Sequence, residues 1–205
     1  MVRLVYGVGI NDADYVVNIM EYLGYVDGKR KQRKVWRCPY YTVWSSMIER
    51  CYSSKFGERN PTYKDCIVCD EWLLFSNFKS WMETQDWEGK ELDKDILIPE
   101  NRVYSPYAGV FISPRVNTFV NEKASKRGEW PIGVCWHAET QKFMARCRNP
   151  FSKNSEYLGV YLCPDEAHQA WLKRKLELAK LLAAEQDDPR VAKALVERYE
   201  NYDCN

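Results

Sequence analysis

Between Tyr41 and Cys51 the apolar residues Val43, Trp44, Met47, Ile48 and Cys51 recur at the spacing of a helix with one buried face. Glu71 to Met82 repeats the pattern with Trp72, Phe75, Phe78 and Met82. Two aromatic-rich helices are therefore expected to pack together as a core. Leu92-Asp93-Lys94-Asp95-Ile96-Leu97 alternates as a strand does, Pro99-Glu100-Asn101 marks a turn, and Gly109-Val110-Phe111-Ile112 predicts a second short strand. Ser113 followed by Pro114 predicts a helix start, leading into Val116 to Val120. Lys126-Arg127-Gly128-Glu129 then reads as a linker. Three strands follow, at Ile132–His137, Lys142–Arg148 and Glu156–Leu162. Pro164-Asp165 opens a helix to about Ala184, striped by Ala167, Ala170, Trp171, Lys175, Leu178 and Leu182. Asp188-Pro189 caps a last helix striped by Val191, Leu195, Tyr199 and Tyr202.

The first forty residues carry weaker signals. Gly7, Gly9, Asn11, Asp12 and Asp14 predict a loop, with a short apolar segment from Tyr15 to Leu23. Lys29, Arg30, Lys31, Arg33, Lys34 and Arg37 place six positive charges within nine residues. Such a run is either a solvated loop or a contact for a polyanion. The formal net charge of +1 conceals this asymmetry. From Lys123 to Cys163 there are seven basic residues against three acidic, whereas from Ala184 onward three basic residues face six acidic ones.

Composition excludes some classes. With 45 % hydrophobic residues, 8 Trp and 14 Tyr, disorder is not expected. No apolar run reaches the roughly 20 residues needed to cross a bilayer, and Met1 to Gly7 lacks a secretory signal. A cytoplasmic protein without membrane contact is expected, and its eight cysteines should be thiols or metal ligands rather than disulfides.

The blocks Ile132-Gly133-Val134, Lys142-Phe143-Met144-Ala145, Tyr157-Leu158-Gly159-Val160-Tyr161, Glu166-Ala167 and Ala170-Trp171 resemble the AP2 DNA-binding domain over about fifty residues. The resemblance implies a three-stranded antiparallel sheet packed on one helix, with the sheet entering the major groove. Strand alternation supports it independently. Phe143, Ala145 and Cys147 suit packing on the helix, and Lys142, Met144, Arg146 and Arg148 suit the open face. Cys135, His137 and Tyr157 should share that open face. Cys135 and His137 stand where the plant family carries basic residues. Of the 2 histidines, His168 reads as a packing or surface residue.

Residues 91–122 resemble the HNH (ββα-metal) nuclease motif of phage homing-endonuclease-like proteins, through Leu92-Asp93-Lys94-Asp95, Asn101, Tyr104-Ser105-Pro106, Val110-Phe111-Ile112 and Asn117. The resemblance implies that Asp93 and Asn117 hold Mg2+ or Mn2+ and that Asn101 orients the general base. The base position is Lys94 instead of the family's His. A lysine ammonium is protonated at neutral pH and cannot accept a proton, and losing a general base costs about 10²–10⁴-fold. Gly7 to Tyr15 and Cys38-Pro39-Tyr40-Tyr41 also fit this phage group. Cys66-Ile67-Val68-Cys69, with Cys38 and Cys51 upstream, could supply four thiolates to a structural Zn2+, or could be buried free thiols.

The expected architecture is α+β. Residues 1–125 form an HNH-like ββα domain with a helical N-terminal part, 126–184 an AP2-like domain, and 185–205 a C-terminal helix. The expected function is phage-encoded, metal-dependent cleavage of double-stranded DNA. The alternatives are a non-catalytic DNA-binding protein on a degenerate HNH scaffold and a protein-interaction module acting on a host factor.

Overall fold

A computed structural model describes residues 4–121 and 129–202. The linker expected at 126–129 lies largely outside the described residues, as does Cys204. The chain is α+β and forms two compact units, Met1–Phe111 and Ile112–Asn205.

In the first unit, α1 (Pro39–Tyr52) and α3 (Phe75–Met82) pack their apolar faces together, as their spacing predicts. Tyr41, Trp44 and Phe75 form one aromatic group, and Trp72, Phe78, Trp81 and Phe111 another. Trp44 Nε1 donates to the Trp72 carbonyl at 2.7 Å and joins the two. A hydrogen bond satisfies this buried indole, which would otherwise be a costly polar group in the core.

The helix expected from Glu71 is interrupted. Asp70–Leu73 is a 3-10 turn, Leu74 is extended, and α3 starts at Phe75. The cause is tertiary. Ile10 lies beside Leu74 as a parallel bridge, its amide donating to Leu73 and its carbonyl accepting from Phe75. Those bonds replace the helical ladder. Between the helices lie α2 (Ser54–Arg59) and β3 (Ile67–Val68), which pairs in parallel with β5 (Val103–Tyr104). The strand at 92–97 is shorter than its alternation suggests. Here β4 is Glu91–Asp93 and pairs with β6 (Val110–Ile112). It ends because Asp93 Oδ1 accepts from the Asp95 and Ile96 amides, at 2.9 and 2.7 Å, and turns the chain.

The largest departure is at the N-terminus. Gly7 to Asp14 form a loop, as expected, but much of the short apolar segment after it, together with the charge run, forms a long antiparallel hairpin of β1 (Asn18–Val26) and β2 (Lys29–Arg37). Asp27 and Gly28 turn it with φ of 51° and 72°. Positive φ at both central positions gives the turn whose twist matches paired strands. The base is tied down, with the Cys38 amide donating to Val17 and the Arg37 guanidinium to Ser45 Oγ.

In the second unit, α4 (Pro114–Val120) begins as expected, with Ser113 Oγ accepting from the Val116 amide. β7 (Val134–His137), β8 (Lys142–Arg148) and β9 (Ser155–Tyr161) form an antiparallel sheet in that order. The sheet packs on α5 (Pro164–Ala183) through the buried Ala145 and Cys147. α6 (Pro189–Glu200) lies on α5 with Val191, Leu195 and Tyr199 buried.

β7 starts two residues later than expected because Gly133 has φ of 81°. A β-carbon there would meet the Trp171 ring at 2.1 Å. The glycine lets the indole fill that space. His168 is a packing residue, stacked on Trp171 and donating Nδ1–H to the Ile132 carbonyl at 2.8 Å.

Candidate nucleic-acid interface

Strand pairing decides which side chains stand together on the β7–β9 sheet. Cys135 is opposite Met144, His137 opposite Lys142, Arg146 opposite Tyr157 and Arg148 opposite Ser155. Directly opposed residues point to the same face. Cys135, His137, Lys142, Arg146, Arg148 and Tyr157 therefore line one surface. A bulge at Leu158 shifts the β9 register by one residue and keeps Tyr157 on that surface. Arg146 and Arg148 are exposed, and Tyr157 is 60 % exposed. His137 bonds through Nδ1 to Thr140 Oγ1 at 2.9 Å, which fixes its ring near the β7–β8 turn.

The electrostatics of this face depend on a residue that is absent from it. Glu156 is the one carboxylate in the three strand sequences. It lies opposite Cys147, which is buried on the helix side. Arg174 of α5 grips it there, Nε to Oε2 at 2.7 Å and Nη2 to Oε1 at 3.1 Å, and Asn149 adds a bond of 2.7 Å. These partners, Arg174 first, hold the Glu156 carboxyl down at about 2. The open face keeps Lys142, Arg146 and Arg148 with no strand carboxylate beside them. Asn149 also accepts from the Phe151 amide and orders the β8–β9 loop. Arg148, Lys153, Arg115 and Lys175 border a cleft of about 340 Å³ floored by Phe119 and Pro150. Arg115 is ion-paired with Glu185, and Lys175 donates to the Phe119 carbonyl at 2.8 Å.

Asp93, Lys94 and Asn101 come together in the first unit. Asn101 Nδ2 donates to the Lys94 carbonyl at 2.6 Å and to the Val103 carbonyl at 2.8 Å, and Oδ1 accepts from the Val103 amide. The expected orienting residue thus grips the backbone of residue 94. The Lys94 side chain turns inward. The residue is 8 % exposed, and Nζ donates to Asp95 Oδ2 at 2.7 Å and to the Asn101 carbonyl at 2.9 Å. Burial, and then the Asp95 charge, raise the Asp93 carboxyl above its ordinary value. Asn117 lies in α4 in the second unit, where its Oδ1 accepts from Asn121 Nδ2.

Among the described residues, no three His, Cys, Asp or Glu side chains form a group suited to a metal. Cys38 lies 3.4 Å from the Tyr15 hydroxyl. Cys51 and Cys66 are neighbours close to Lys94, and the Cys69 amide donates to Tyr104. All four are free thiols. Burial pushes the Cys51 thiol up to about 12 and raises Cys66 and Cys69 in the same direction. Cys163 precedes α5 as its N-cap.

The basic hairpin is the surface that the sequence left as a choice between loop and contact. The Asp27-Gly28 dipeptide, favoured in two-residue hairpin turns, was the signal for it.

No family model matches the chain, and no solved structure matches it. Over 62 residues, 30 % of its length, the chain is 34 % identical to an ethylene-responsive transcription factor of Arabidopsis thaliana. That match spans 21 % of the plant protein. Among the described residues no helix is long and apolar enough to cross a membrane.

Proposed function

We propose that this protein binds double-stranded DNA through the open face of the β7–β9 sheet. The observation that carries this is the sorting of charge by strand register. Lys142, Arg146 and Arg148 stand on one face, and Glu156 is held on the other by Arg174. The major groove, about 12 Å wide, admits such strands. A guanidinium there can bond guanine O6 and N7 together, while Lys142 contacts phosphate and fixes position. The similarity to a plant transcription factor supports the same function.

Metal-dependent cleavage is a second function, favoured by the Asn101 grip on residue 94. Asp93 would hold Mg2+ or Mn2+, which would neutralise charge on a scissile phosphate. The inward-turned Lys94 ammonium, bound by Asp95 and the Asn101 carbonyl, speaks for the non-catalytic alternative.

Binding of the full chain to a labelled duplex across a salt series tests the first function. Tight, salt-sensitive binding is expected, with Arg146→Ala and Arg148→Ala each costing about 1–3 kcal/mol and each lowering the salt slope by roughly one. No salt-dependent binding would overturn it and favour a protein-interaction module. In the same tubes, nicking of supercoiled plasmid with Mg2+ or Mn2+ that Asp93→Ala abolishes would establish cleavage. Binding without nicking would leave a DNA-binding protein on a nuclease-like scaffold.

A further inference from the structure

Eight large apolar side chains of the β1–β2 hairpin are exposed, among them Tyr22, Tyr25 and Trp36. So much exposed apolar surface on one element marks an interaction site. The same hairpin holds six basic residues against Glu21 and Asp27, and Glu21 is already paired with Arg33 at 2.5 Å.

Register sorts these residues. Tyr25 is opposite Arg30, Tyr22 opposite Gln32, Met20 opposite Lys34 and Asn18 opposite Arg37. All four pairs share one face, on which no carboxylate stands. The Arg30 guanidinium lies 5.2 Å from the Tyr22 ring, and Tyr22 meets Tyr25 edge-on at 6.0 Å. Lys29, Lys31 and Arg33 stand on the opposite face. Among the described residues no third strand pairs with either edge. A lone two-stranded ribbon is marginal in water, and six cations on it repel one another. A polyanion offsets that repulsion, and lysine-rich edges disfavour pairing with a second copy of the ribbon.

We infer that the hairpin is a second DNA-contacting element, a β-ribbon that lies in the major groove of a duplex. Strands of nine residues give roughly 30 Å of ribbon, close to one helical turn of DNA. Cations on both faces meet the phosphates that wall the groove. Tyr22 and Tyr25 meet sugars and base edges. The inference stands on hairpin residues alone and survives if the β7–β9 sheet binds nothing.

The test uses the full chain and a labelled DNA duplex over a salt series. In one variant Lys29, Arg30, Lys31 and Lys34 are changed to Gln. Arg33 and Arg37 stay, because they hold Glu21 and Ser45. A second variant carries Lys29→Arg, Lys31→Arg and Lys34→Arg, and a third Arg146→Ala with Arg148→Ala. The Gln variant is expected to bind at least about tenfold more weakly, with a salt slope shallower by roughly two to four. The Arg variant is expected to bind as the parent does. Parental affinity and slope in the Gln variant would overturn the inference, and if the third variant lost binding in that case, the sheet alone would be the contact. Equal losses in the Gln and Arg variants would overturn it too, since the effect would then be structural. So would tighter binding to an RNA duplex, whose deep, narrow major groove excludes a ribbon. A dimer in the parent that the Gln variant dissolves would assign the ribbon to self-association instead.

Discussion

Arg174 on α5 grips Glu156 on β9 at two points, with 2.7 Å from Nε to Oε2 and 3.1 Å from Nη2 to Oε1. One bond pair does two things. It ties the sheet to its helix, and it removes the single strand carboxylate from the basic face. Folding holds the Glu156 carboxyl at about 2, below its ordinary 4.5. A lowered folded value means that the stabilisation is fully present above the ordinary value. It is lost as pH falls from there through about 2. Both side chains are nearly a third exposed, so solvent screening limits the contribution to about 1 kcal/mol. Glu156→Gln should lower the urea midpoint at neutral pH, and the gap to the parent should close as pH falls toward 3. A gap that is constant with pH would mean that the pair acts through packing alone.

Gly133 is the point where sheet and helix meet most closely. Its φ of 81° is strained for any β-carbon, and the Trp171 ring fills the space a side chain would need. Its carbonyl also accepts from the Arg146 amide at 2.9 Å, so it positions a residue of the basic face. Gly133→Ala should destabilise the second unit by about 2–4 kcal/mol, through overpacking and backbone strain together. Thermal unfolding measures this. A loss below about 0.5 kcal/mol would show that Trp171 moves aside freely.

Asp93 carries the opposite pH signature to Glu156. Burial and the Asp95 charge raise its carboxyl above the ordinary value of 3.8. The folded chain therefore holds that proton more tightly than the unfolded chain. The group's contribution is most favourable at low pH and is lost as pH rises through the folded value. Asp93→Asn keeps the oxygen that accepts from the Asp95 and Ile96 amides and removes the buried charge. At pH 7 the variant should be at least as stable as the parent, with the advantage shrinking as pH falls. If Asp93 holds a cation, Mg2+ should raise the parent's melting temperature and leave the variant's unchanged.

Much of the core was legible in the chain. The stripes of α1, α3, α5 and α6 are local, and a helix with an apolar face must bury it against something. Ser113 and Pro114 placed the start of α4 because capping uses neighbouring residues. Alternation along β8 separated Ala145 and Cys147 from Arg146 and Arg148 because side-chain direction reverses at every strand residue. The start of β7 was not legible, since Trp171 is what requires positive φ at Gly133.

By itself, then, the sequence determined the α+β class, the aromatic core helices and the two faces of β8, since each follows from short-range periodicity. Tertiary structure alone decided the rest. It broke the helix at Leu74 by inserting Ile10, turned Lys94 inward onto Asp95 and Asn101, and drew Glu156 to Arg174 across eighteen positions of chain. The pairing of β1 with β2, which turned a run of charges into an ordered ribbon, had a local signal in Asp27-Gly28. For the other three the physical reason is common. The free energy of a hydrogen bond or ion pair depends on which partner arrives in space, and periodicity along the chain carries no trace of that partner.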